Sequence, residues 1–237
     1  MKVERAHCLF EQSGTFKNEF RSMGIDAEDY DILNEFGQTD HVIDLFAEIR
    51  GGWNGEPSIF DSMTEQDLIV AFFPCTRFED QIMLMFRGQH RGQIHFSQMD
   101  KIKKSMELHT ELHEMYLTIT MLAGICIERG LRLIIENPYS AQHYLRQYWC
   151  FRPSVIDKDR TVRGDCMRKP TQYYFINCEP ENNFIFEPMV LTERKRVKKD
   201  AHNGRDRSMI MPQYANRFIR EFILDGETTK TDEIPFN

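Results

Sequence analysis

Three features of the sequence predict an α/β fold with a mostly parallel sheet. Leu68 to Phe73 is a continuous apolar run of strand length that suits a strand buried on both faces, and Leu131 to Ile135 (LRLII) is another strand-like run. Between them, Met99 to Arg129 carries apolar residues at helical spacing, enough for a long helix covering one face of that sheet. Each run also meets a proline, in Phe73-Pro74-Cys75 and in Glu136-Asn137-Pro138. Proline cannot continue a ladder, so polar side chains are delivered just beyond the carboxyl edge of the sheet, where open α/β folds bind ligands.

Taken in order, Val3 to Phe10 reads as a first strand and Gly14 to Met23 as a helix, since Phe16, Phe20 and Met23 recur at helical spacing. The turn between them, FEQSGTF, has Ser13 as a candidate N-cap and one glycine, Gly14. A strand entering a helix through a tight turn is also an anion or nucleotide cradle. A second strand, Ile25 to Tyr30, ends in Asp29-Tyr30-Asp31. An acid near that end, about 20 residues after the turn, is placed to bind ribose hydroxyls, and Asp29 fits. His41 to Ile49 reads as a helix, and Gly51 to Pro57 as a loop.

After Cys75 the chain makes a long connection, Thr76 to Gln98, made locally basic by Arg77, Arg87, His90 and Arg91. Connections of that length are usually lids or binding loops. The helix from Met99 to Arg129 is expected to be interrupted once, with Met106, Leu108, Leu112, Met115, Leu117, Ile119, Leu122 and Ile125 toward the core. His109 and His113 lie one turn apart without the glutamate placement of a zinc helix motif or a third ligand, so no metal site is expected. Ala141 to Tyr148 reads as a short helix, Thr171 to Cys178 as a strand, and Phe184 to Phe186 as another. Pro212 to Leu224 closes the chain as an amphipathic helix. The expected organisation is a core over residues 1–150 with an insertion at about 76–98, a small basic region over 151–208, and a helix and polar tail over 209–237 that returns to the core.

The 237 residues, 41% of them hydrophobic, are sufficient for a buried core. The formal net charge of -7 excludes coating of nucleic acid by bulk charge, so any such contact must be local. The best local candidates are Arg160, Arg163 and Lys169, and the run containing Arg194, Lys195, Arg196, Lys198 and Lys199. Six cysteines without a CxxC pair suit reduced thiols in a cytoplasmic compartment. No signal peptide, lipidation motif or membrane-spanning run is evident.

A free cysteine alone is most often a small buried hydrophobe. The second strand end changes the balance, because Cys75 and Glu136 meeting in one crevice would be a nucleophile and a proton donor.

These residues resemble a known family. FFPCTRF is similar to the proline-cysteine motif of the cytosine-5 DNA methyltransferases, and IIENPYS to their glutamate-asparagine motif. FEQSGTF stands in place of their adenosylmethionine turn and Asp29-Tyr30-Asp31 in place of their ribose-binding acid, all in the family's order. The likeness covers roughly the first three fifths of the chain. RKPTQYYFIN and RSMIMPQYANRFI further resemble segments of small phage and prophage methyltransferase-like proteins. The resemblance implies a Rossmann-like class I methyltransferase fold with S-adenosyl-L-methionine as cofactor, DNA or another nucleic acid or nucleotide as partner, and a cytoplasmic location, that of the host if phage-encoded.

By the same resemblance Cys75 adds to carbon-6 of cytosine and Glu136 protonates nitrogen-3, while Pro74 and Asn137 position them. Phe10, Gly14, Thr15 and Phe16 line the cofactor site, with Asp29 and Asp44 beside it. Arg160 and Arg163 are alternatives for the family's arginine motif. Thr76 stands where the family has glutamine, and Glu79 where a serine commonly follows. The alternative function is a non-catalytic methyltransferase-like protein that binds nucleic acid, a nucleotide or a protein partner. A zinc nucleobase deaminase is excluded, because Phe78 breaks its PCxxC pattern.

Overall fold

The computed structural model describes residues 1–189 and 209–226. Its elements follow the chain as β1 (Arg5–Leu9), α1 (Thr15–Ser22), β2 (Asp26–Asp31), β3 (His41–Val42), α2 (Leu45–Trp53), β4 (Leu68–Ala71), α3 (Asp80–Phe86), α4 (Gln98–Arg129), β5 (Arg132–Pro138), α5 (Tyr144–Tyr148), β6 (Val155–Asp157), β7 (Thr171–Ile176) and α6 (Pro212–Phe218). The strands form one sheet in the order β3-β2-β1-β4-β5-β7-β6. β1, β2, β3, β4 and β5 run parallel, and β7 is antiparallel to both β5 and β6. This is a Rossmann-like fold with the class I methyltransferase arrangement, as the sequence predicts.

The apolar run chosen as a central strand is central, since every residue of β4 is buried. Alternation along it divides the core in two. Leu68 and Val70 join Phe16, Phe20, Tyr173, Tyr214 and Phe218 under α1 and α6. Ile69 and Ala71 join Ile49, Leu112, Ile119 and Leu122 under α2 and α4. Helices after β1 and after β4 thus cover opposite faces. The strand order reverses between those two strands, and a crevice opens beyond their carboxyl ends.

Several boundaries differ from the expectations, each for a local reason. His41 and Val42 pair with β2, the His41 ring stacking on Tyr30 at 4.5 Å, and the helix starts only after Asp44. α4 runs uninterrupted for 32 residues from its Ser97 cap to Gly130, whose φ of 69 ends it in the left-handed region. The buried residues of α4 begin at Leu108, so Met106 is 67% exposed, and Leu117 faces outward at 40%. The long connection after Cys75 carries α3, which packs along α4, and a 3-10 turn at Arg91–Gln93. Phe86 rests on His109, and Arg77 pairs with Glu111.

β6 and β7 complete the central sheet, so position 150 is not a boundary of the fold. Phe184 and Phe186 form no strand and are exposed. The C-terminal helix buries Tyr214, Ala215 and Phe218 before a π turn over Ile219–Ile223.

Candidate functional site

Two loops leave the sheet side by side at the carboxyl ends of β4 and β5. Beyond β4, Phe72 N–H donates to the Leu9 carbonyl at 2.9 Å, carrying the pairing with β1 one step further before Pro74 stops it. Asn137 is fully buried, and its Nδ2 donates to the Phe73 carbonyl at 3.0 Å and the Glu136 carbonyl at 2.7 Å. One amide therefore fixes where both strands end. Further along, Ser140 Oγ donates to Asp80, and Tyr144 N–H donates to the Phe78 carbonyl at 2.9 Å. Tyr139 N–H donates to the Pro170 carbonyl at 2.8 Å, which ties in the loop before β7.

Cys75 lies half-buried on this scaffold, and its thiol donates to Glu79 Oε1 at 3.1 Å. Burial and the adjacent Glu79 push that thiol well above its ordinary range; Glu136 adds to the effect and Lys169 opposes it. Cys75, Glu79, Glu136 and Lys169 thus share one electrostatic neighbourhood. Glu136, two residues beyond Ile134, points to the α1 and α6 face. It is 6% exposed, and its Oε1 has no hydrogen-bond partner among the described residues.

On that same face the two candidate arginines separate. Arg160 is 1% exposed, paired with Asp165, with its guanidinium over the Tyr214 ring at 4.7 Å. Its Nε and Nη1 have no partner among the described residues, and Glu136 is one of the charges that hold it protonated. Arg163 is consumed by structure: it donates to Glu221 at 2.7 and 2.8 Å and to Asp157 at 3.0 Å, locking the turn after β6 to the π turn. One side chain is thus buried and the other is engaged by two carboxylates. The positive charge of Lys169 acts on the Cys75 thiol and favours its ionised form. Arg194, Lys195, Arg196, Lys198 and Lys199 lie outside the described residues.

The turn after β1 departs further from expectation. Phe10 holds a left-handed φ of 61 and packs edge-on against Phe73 at 5.2 Å. Gly14 has a φ of 65, and a Cβ there would come within 3.1 Å of Asn18, 3.2 Å of Lys17 and 3.4 Å of Gln38. Gly14, not Ser13, is the N-cap of α1, and Ser13 Oγ lies 3.0 Å from Thr15 Oγ1. Thr15 and Phe16 are corrected as lining residues: Thr15 is 8% exposed, and Phe16 is fully buried, packing on Phe72 at 4.8 Å.

The amino end of α1 is occupied from within the chain. Glu11 accepts the N–H groups of Phe16 at 2.8 Å and Lys17 at 3.2 Å, so the expected open anion cradle is self-capped. Burial pushes the Glu11 carboxyl up to about 7 despite those two donors. Sequence reading passed over this residue, although a carboxylate ahead of a helix start is a capping signal.

Asp29 is paired through one oxygen only, and its Oδ2 has no hydrogen-bond partner among the described residues. It is fully buried against Lys17, whose Nζ lies 2.9 Å from Oδ1, and it accepts the Asp40 N–H at 2.7 Å. Asp31, two residues on, is the half-buried acid at the sheet edge; it accepts the Leu33 N–H at 2.8 Å, and burial raises its carboxyl. Asp44 caps α2, accepting from Phe46 N–H at 3.0 Å and Ala47 N–H at 3.2 Å. Among the described residues no helix is long and apolar enough to cross a membrane.

No protein-family model and no curated protein matches this sequence. Among solved structures it is similar to a methyltransferase of Entamoeba histolytica, with 13% identity and a TM-score of 0.37 over 82% of this chain. The chain spans 58% of that protein's length. Assignment to a methyltransferase-like α/β fold stands on the strand order and its single reversed strand at β7.

Proposed function

We propose that this chain is an adenosylmethionine-dependent methyltransferase that modifies carbon-5 of cytosine in DNA through a covalent bond to Cys75. The observation that carries the reading is the pair of neighbouring strand ends: Cys75 after β4 and Glu136 in β5, held by the shared Asn137 amide beside the switch point of the sheet. A thiol at carbon-6 turns the inert carbon-5 into a nucleophile. The open Oε1 of Glu136 suits the nitrogen-3 edge of a pyrimidine, and the free N–H groups of Arg160 suit its carbonyl oxygen. A base can reach side chains this deep only after flipping out of the duplex.

The residues at the ends of β1 and β2 fit the cofactor in part. Asp31 at the end of β2 suits ribose hydroxyls, and Ile32, 62% exposed beside it, offers apolar surface to an adenine ring. When bound, adenosylmethionine would supply the activated methyl group.

A trapping assay with an oligonucleotide carrying 5-fluorocytosine tests this reading. Wild-type protein should form a stable adduct at Cys75 in the presence of adenosylmethionine, and Cys75→Ala should form none. Methyl transfer undiminished in Cys75→Ala would sink the covalent mechanism.

The self-capped amino end of α1 favours a second reading, a methyltransferase-like binding protein without catalysis. Calorimetry separates the two, since a binding module that has lost the chemistry would take up neither adenosylmethionine nor its demethylated product.

A further inference from the structure

We propose that Glu79 is the proton acceptor of Cys75, taking the thiol proton as sulfur bonds to carbon-6 and returning it when that bond breaks. The inference rests on the covalent cytosine reading above. Glu79 Oε1 lies 3.1 Å from Cys75 Sγ, the hydrogen bond of that thiol among the described residues. Position before α3 gives the side chain no structural duty: its carbonyl, not its carboxylate, meets the Ile82 N–H at 3.1 Å, and the carboxylate makes no capping bond.

Three charged groups bear on the sulfur from three elements: Glu79 from its own segment, Glu136 from β5, and Lys169 from the loop before β7. The two carboxylates and burial keep the thiol protonated, and Lys169 alone opposes them. A protonated thiol adds poorly, because the thiolate is the nucleophile. Catalysis therefore requires an acceptor in contact with the sulfur, and Glu79 meets that geometry.

In the addition step the S–H electron pair forms the bond to carbon-6 and the proton passes to Glu79 Oε1. The C5–C6 π pair shifts to the C4–C5 bond, the C4–N3 π pair moves onto nitrogen-3, and nitrogen-3 takes the proton that Glu136 picked up from solvent as the base bound. Once carbon-5 carries the methyl group, its proton passes to water and the C5–C6 double bond re-forms. Nitrogen-3 returns its proton to Glu136, the C6–S pair returns to sulfur, and Glu79 gives its proton back.

The test is Glu79→Gln, with Glu79→Ser beside it should glutamine fit poorly, read by two measurements on the full-length protein. Adduct formation with the fluorinated oligonucleotide should slow about 100-fold or more, within the usual range for a lost general base. Iodoacetamide labelling of Cys75 at pH 7.5, followed by peptide mass spectrometry, should instead become faster, because a negative charge has left the thiol. Opposite movement of the two rates supports the proposal. Unchanged or faster adduct formation overturns it, and so does slowing of both rates together, which marks a merely positional role. Wild-type protein that forms no adduct at all removes the covalent reading itself, an outcome distinct from failure of Glu79 alone.

Discussion

The carboxyl edge of the sheet has two halves of opposite character. At β4 and β5 the side chains that end the strands keep unspent groups: Glu136 Oε1, and Arg160 Nε and Nη1 on the same face. At β1 and β2 most of the corresponding polar side chains are paired within the fold, although Asp29 Oδ2 has no hydrogen-bond partner among the described residues. Glu11 caps α1, Asp29 pairs with Lys17, and Asp44 caps α2. Residue type and strand-end position are alike in the two halves. What separates them is whether the neighbouring chain supplies a partner.

The largest test of that contrast is Lys17→Met set against Asp31→Asn. Lys17 Nζ is buried between Asp29 at 2.9 Å and Asp40 at 3.2 Å. Its removal leaves the fully buried Asp29 uncompensated, and breaking such a pair costs about 3–5 kcal/mol. Denaturant unfolding should show that loss. Asp31→Asn should leave stability within about 0.5 kcal/mol, as expected for a change away from buried pairs, yet weaken adenosylmethionine about tenfold or more in calorimetry. A stable Lys17→Met protein, or an Asp31→Asn protein with unaltered affinity, would show that the acid roles at β2 are assigned the wrong way round.

Glu11 gives the next effect, with a pH signature. Its carboxyl titrates near 7 in the fold and near the ordinary 4.5 when unfolded, so the folded state holds the proton more tightly. Stability from this group is greatest below about pH 4.5, falls as pH rises, and is fully lost above about 7. A shift of that size corresponds to roughly 3 kcal/mol at most. Thermal midpoints measured from pH 5 to pH 8 should decline, and Glu11→Gln, which keeps an oxygen for one of the two N–H groups, should flatten the decline. An equally steep fall in the variant would trace the pH dependence to another group.

The same contrast explains what could be seen in the sequence. The core strands were legible because a continuous apolar run that stops at proline has one economical reading, and β4 and β5 took it. Cys75 and Glu136 inherited their placement from that reading. The turn was less legible because its outcome depends on long-range pairing. Nothing near Asp29 in the sequence announces that Lys17 will reach it, nor that Gln38 will fold back toward Gly14. Arg160 and Arg163 sit in one short turn, yet Asp165, Tyr214 and Glu221 decide which of them is spent. Glu79 was visible only as a departure from a family pattern, and its meaning appeared with the thiol beside it.

Asp44 supplies the smallest effect and the cleanest separation of fold from function. Its carboxylate satisfies two of the free N–H groups at the start of α2, through Phe46 and Ala47. Replacing such a cap with alanine costs about 1 kcal/mol. Asp44→Ala should therefore lower the unfolding free energy by that amount while leaving adenosylmethionine affinity unchanged. A matching loss of affinity would return Asp44 to the cofactor site and erase the distinction between an acid that holds a helix and one that holds a ligand. Equal affinity would leave Asp31, at the last position of β2, as the acid bound only by the N–H groups of its own turn.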